Sequence, residues 1–142
     1  MIIPDLNILL YAVNEASPHN ATARDWLEDT LNHGREDVGL PWAVYLGFLR
    51  LTTNPRIFAQ ALTVQTSNEW LDNLVGHPSV SLLNPGRAHT GILRHLLLSV
   101  GTGGNLTTDA HLAALALEQD ATFVTGDRDF LRFPGLKLKF LF

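Results

Sequence analysis

The chain has 142 residues, 46% of them hydrophobic and 17% charged, with 10 Lys and Arg against 14 Asp and Glu and no Cys. That size and balance suit one folded domain over residues 1–142 and leave little room for a disordered tail, and the absence of Cys excludes a disulfide framework and a thiolate metal site. A net charge of −4 excludes a protein that coats nucleic acid through Lys and Arg, but not a nuclease whose acids hold a cation that then meets the phosphate.

"MII" predicts a short strand closed by Pro4 and Asp5, and "LNILLYAV" places Leu6, Leu9, Leu10 and Val13 at helical spacing. "SPHNATARDWLEDTLNH" reads as an amphipathic helix from Ser17 to His33, with Ala23, Trp26, Leu27 and Leu31 on one face. "GREDVG" reads as a polar break. "LPWAVYLGFLRLTTNPRIF" predicts a largely buried helix from Pro41 to about Asn54, ahead of Pro55. "TVQTSNEWLDNLVGHP" predicts a helix, "SVSLLNP" a strand, and "GRAHTGILRHLLLSVG" a helix that ends at a flexible "GTGGN" connection. "TTDAHLAALALEQDA" opens another helix, with Thr108 as the expected N-cap. "TFVT" is a strand, "GDRDFLRF" a turn and short helix, and "LKLKFLF" alternates as a terminal strand. Strands alternating with helices imply an α/β fold around a mainly parallel sheet covered on both faces.

In such sheets the functional crevice lies beyond the carboxyl ends of the strands. Asp5 follows the first strand, Asp127 and Asp129 follow "TFVT", and Asp109 opens the helix that leads into that strand. Clustered carboxylates repel one another unless a cation sits among them. Oxygen donors without thiolates or paired histidines favour Mg²⁺ or Mn²⁺ over zinc. The ordinary alternatives are helix-dipole positions for Asp5 and Asp109, and turn roles for Asp127 and Asp129, with Asp129 paired to Arg128 or Arg132. His111 lies near Asp109 in sequence and reads as a surface or packed histidine before a proton carrier.

Taken in order, "DLN", "FLRLTTNPRIF", "GGNLTTDAHLAALALE" and "ATFVTGDRDFLRFPGLKLKF" resemble the PIN-domain ribonucleases, and within them the VapC toxins of toxin and antitoxin pairs. The resemblance covers nearly the whole chain. It implies a three-layer α/β/α sandwich, a homodimer, and a VapB-like antitoxin partner. It also implies RNA cleavage by a divalent ion held on clustered acids that activates water. "MIIPDLN" has no basic region before an apolar stretch and no later apolar run is long enough to span a bilayer, which reads as a cytoplasmic protein away from any membrane. By position the resemblance assigns Asp5, Asp109 and Asp127 as catalytic metal ligands, with Asp129 as an extra member and Asn7 and Thr125 in support. Arg50 and Arg128, nearest the motifs, are candidates for RNA phosphate contacts. The second acid of the family pattern, usually a Glu, falls on Gly47. That departure motivates an alternative, a catalytically weak module that binds RNA or antitoxin without cutting. A receiver-like or haloacid-dehalogenase-like phosphatase fits less well, because "DLN" lacks the second Asp such a pair needs.

Overall fold

The computed structural model describes residues 1–142. Its centre is a five-stranded sheet of β1 (Ile2–Pro4), β2 (Val38–Pro41), β3 (Val80–Leu83), β4 (Thr122–Thr125) and β5 (Lys137–Phe140), in the order β3-β2-β1-β4-β5. Every pairing is parallel. Six α-helices connect and cover it: α1 (Leu6–Val13), α2 (Asn20–His33), α3 (Trp42–Thr52), α4 (Val64–Val75), α5 (His89–Val100) and α6 (Thr107–Glu118). From β1 the chain steps outward to β2 and β3 through α1 to α4, then returns through α5 and α6 to β4 on the other side of β1. Right-handed crossovers in opposite directions put the two helix sets on opposite faces. This is the expected three-layer α/β/α arrangement.

The central strands bury Ile3, Val38, Leu40, Phe123 and Val124 almost completely, and Phe48, Leu71, Leu96 and the alanines of α6 pack on them. Ala110, Ala113, Ala114 and Ala116 are all fully buried, so their small side chains form a close-packing face. Polar side chains join the helices where backbone groups would otherwise be orphaned. Asn20 Nδ2 donates to the carbonyls of Tyr11 and Ala12 at the end of α1 (2.8 and 3.2 Å). Thr52 and Ser67 share a buried 2.7 Å bond between α3 and α4. No helix is long and apolar enough to cross a membrane.

Three local expectations are corrected. "VGLP" lies inside the expected polar break and helix start, yet forms β2, buried at all four positions. Gly39 leaves room there for Leu83, because a Cβ would sit 2.5 Å from Leu83 Cδ1 and displace that side chain. The helix expected from Ser17 begins at Asn20, because Ser17 Oγ accepts from His19 N in a turn that precedes it. Thr108 is not an N-cap. A 3-10 turn over Gly104–Leu106 runs directly into α6, whose first residue is Thr107, and no side chain caps it.

Candidate metal centre

The strand order reverses at β1 and β4, and the crevice at such a switch point opens beyond the carboxyl ends of those two strands. Asp5 leaves β1 there. Its amide donates to the carbonyl of Val124 (2.8 Å), one step past the ladder, which fixes the start of α1 against the end of β4. Thr125, fully buried, donates from Oγ1 to Asp5 Oδ2 (2.6 Å) and accepts from the amide of Asp127 (2.9 Å). One hydroxyl thus sets both strand-end acids. Asn7, the second residue of α1, donates to Asp5 Oδ2 (3.1 Å) and accepts at Oδ1 from the amide of Gly126 (3.3 Å). Leu6 N donates to Asp5 Oδ1 (2.7 Å).

Asp5 is only 6% exposed, and burial pushes its carboxyl above the ordinary 3.8, with the Asp127 charge adding to the rise; the bonds from Thr125, Leu6 and Asn7 oppose it. Asp109, in the first turn of α6, is pushed up to about 6, first by burial and then by the charges of Asp5, Asp127 and Asp129. A helix start should favour a carboxylate, so burial together with the neighbouring negative charges outweighs the dipole here. Asp109 accepts no hydrogen bond from the protein, and none of the four acids has an ion-pair partner. Asp127 Oδ1 accepts from Asp129 N (2.9 Å) and so caps the 3-10 helix Arg128–Arg132, and Asp129 is exposed. Asp127 therefore fills the turn role as well as facing the other acids, whereas Asp129 pairs with neither Arg128 nor Arg132.

The donor set suits a hard divalent cation: four carboxylates, no soft ligand, and one half-buried carboxylate without a donor. As the side chains stand, no three of them converge closely enough to enclose one ion. Both oxygens of Asp5 are already engaged by Leu6, Asn7 and Thr125. This suits an ion that keeps several waters and takes few direct protein bonds, as Mg²⁺ does.

Gly47 is buried in α3, and a Cβ there would lie 2.6 Å from Leu6 Cδ2. The volume an acid would enter is filled by a leucine next to Asp5. Arg50 is exposed in the last turn of α3 and bonds to none of the acids. Arg128 turns away from its flanking aspartates; its guanidinium lies 3.9 Å over the Phe140 ring and Nη2 donates to the Phe142 carbonyl (3.5 Å).

His111 points elsewhere. Its Nδ1 meets His89 Nε2 (2.8 Å), and His89 Nδ1 meets Glu118 Oε1 (2.5 Å), while Glu118 Oε2 accepts from Gly86 N (2.8 Å). Burial holds the His111 imidazole below its ordinary 6.5, with His89 adding to the shift and Glu118 opposing it. This network ties α5 to α6. Sequence reasoning did not find it, since its partners lie 22 and 29 positions apart and carry no motif spacing.

Residues 2–136 match the PIN domain family. Ribonuclease VapC37 of Mycobacterium tuberculosis is 42% identical over 137 residues, covering 96% of this chain and 94% of that protein. Ribonuclease VapC33 of the same species is 41% identical over 96% of this chain and 95% of that protein. Among solved structures, VapBC2 from Rickettsia felis bound to a DNA fragment from their promoter gives a TM-score of 0.72 at 19% identity, covering 99% of this chain and 98% of that one. DNA-bound VapBC from Salmonella typhimurium gives 0.69 at 17% identity, covering 99% and 98%.

Proposed function

The chain belongs to the PIN-domain family, and from that premise we propose that it is a divalent-metal-dependent endoribonuclease acting as the toxin of a toxin and antitoxin pair. Identity of 42% to a ribonuclease across nearly its full length supports the activity. The solved VapBC complexes share the fold, and they motivate a small VapB-like antitoxin as partner. A single domain over residues 1–142 and a homodimeric, cytoplasmic protein complete the reading.

The observation that carries the chemistry is Asp109: a half-buried carboxylate beside three others, raised by burial and by their charges, and bonded to no donor. Asp5, Asp109 and Asp127 are the residues that would hold Mg²⁺ or Mn²⁺, with Asp129 at the exposed rim. The ion, when bound, supplies Lewis acidity for a phosphodiester and for the water that attacks it. Thr125 and Asn7 hold Asp5 in one rotamer, since both donate to Oδ2, and these bonds work against the burial that disfavours its charge. Asp127 is aligned through its own amide, which donates to the same Thr125 hydroxyl. Arg128, exposed beside Asp127, offers positive charge to the RNA backbone next to the acids; Arg50 offers it at the far end of α3.

Cleavage of single-stranded RNA by the purified chain tests this, with and without Mn²⁺ and with Asp5→Asn and Asp109→Asn beside the wild type. Cleavage that needs both the ion and the two acids supports the reading. Binding of RNA or antitoxin with no cleavage would favour the alternative motivated by Gly47, a binding module.

A further inference from the structure

Beside the acids lies a second feature that metal chemistry does not require. Tyr11 at the end of α1, His19 just before α2, and Phe142 form a mutual ring cluster, with centroid distances of 5.0 Å for Tyr11 to His19, 5.3 Å for Tyr11 to Phe142 and 4.3 Å for His19 to Phe142. The His19 and Phe142 rings are tilted by 31° from each other. These rings, with Asn7, Asp127 and Arg128, line one open cavity of about 470 Å³. Asn7 is bonded directly to Asp5, so the cavity runs from the acidic crevice to the rings within one side chain's length.

Packing alone does not account for the arrangement. Phe142 and Tyr11 cover the small cluster of Ile8, Ala23 and Val124 from one side, and His19 lies against both of those rings. All three rings remain partly exposed. Gly126 brings Phe142 against the acidic turn, because a Cβ at that position would lie 2.8 Å from Phe142 Cδ2. Arg128 stands at the same wall, held on the Phe140 ring. Aromatic faces and a guanidinium beside a phosphate-directed site are the groups that take an unstacked base and its backbone in single-stranded RNA. A paired base cannot reach such a surface.

We propose that the Tyr11, His19 and Phe142 cavity is a stacking subsite for one unpaired RNA base adjoining the scissile phosphate, with Arg128 on the neighbouring backbone. This inference rests on the ribonuclease reading and adds that the substrate is cut where a base is splayed out.

The test is equilibrium binding by fluorescence anisotropy in chelator, on the full chain carrying Asp5→Asn. The probes are a short labelled oligoadenylate and an abasic ribose-phosphate strand of equal length. Adding His19→Ala should weaken oligoadenylate binding roughly 5- to 100-fold, the range of one lost base stack, and leave the abasic strand unaffected. His19→Phe, which keeps a ring at the position, should retain oligoadenylate binding. Equal losses for both probes, no loss for either, or failure of His19→Phe to retain binding would overturn the subsite. Metal-dependent cleavage by the wild type, measured separately, reports on the acids. Intact cleavage without base-dependent binding removes the subsite alone, and base-dependent binding without cleavage removes the hydrolysis and leaves the subsite.

Discussion

Replacing Asp109 by Asn should make the metal-free protein more stable while abolishing its activity. The carboxyl rises from 3.8 to about 6 because burial and three neighbouring carboxylates disfavour its charge. At ~1.36 kcal/mol per pH unit that gap is about 3 kcal/mol for a dry site. The group is only half-buried, so screening by water reduces the destabilisation of the native state at neutral pH to about 1 kcal/mol. Asp109→Asn removes that buried charge and its repulsion, and thermal melts in chelator near neutral pH should show a Tm higher by roughly 2–4 °C. The sign follows from linkage. The folded carboxyl takes up its proton at higher pH than the unfolded one, so wild-type stability recovers as pH falls through about 6 and is fully regained below 3.8. The advantage of Asp109→Asn should therefore shrink on acidification. Saturating Mn²⁺ should reverse the order, since an ion at a hundred times its Kd stabilises by about 2.7 kcal/mol and only the wild type binds it well. A variant less stable than the wild type in chelator at neutral pH would refute the reasoning, because Asp109 would then be in a favourable ionised contact.

Thr125→Val should lower Mn²⁺ affinity roughly 10- to 100-fold by calorimetry, because the hydroxyl orients both Asp5 and the Asp127 amide, and Thr125→Ser should restore it. Glu118→Ala strands His89 and the Gly86 amide and should cost about 2–3 kcal/mol in urea unfolding, with RNA cleavage by the folded fraction unchanged. Because His111 is held below 6.5, the folded state binds fewer protons there than the unfolded one, so the stability linked to His111 should be lost as pH falls below 6.5, a loss that Glu118→Ala enlarges because Glu118 opposes the shift. Gly47→Ala alone should bring little or no stability, since its methyl meets Leu6 Cδ2, whereas in a Leu6→Ala background the same change should gain up to ~1 kcal/mol from helix propensity.

The acidic crevice was legible because each of its parts is local. A strand that ends in Pro4 and Asp5, and "TFVT" followed by "GDRD", place acids at carboxyl ends whatever the rest of the chain does, and parallel topology brings those ends together. What stayed hidden depends on contacts distant in sequence. β2 has a Gly and a Pro in four residues and no alternation, and only burial between β1 and β3 makes it a strand. Gly47 announced a departure from the expected acid, but that Leu6 fills the space is a tertiary fact. The His89 network and the Tyr11, His19 and Phe142 cluster join segments far apart in the chain, and neither spacing nor composition marks them. The start of α2 shifted because a Ser17 turn outcompeted the helical pattern.

The most direct test of the account is calorimetric titration of Mn²⁺ into the wild type and into Asp5→Asn, with RNA cleavage assayed on the same samples. The account predicts binding to the wild type that is lost in Asp5→Asn, and cleavage only where the ion binds. Cleavage that persists in chelator, or in Asp5→Asn, would contradict it and move the chemistry away from the β1 and β4 crevice.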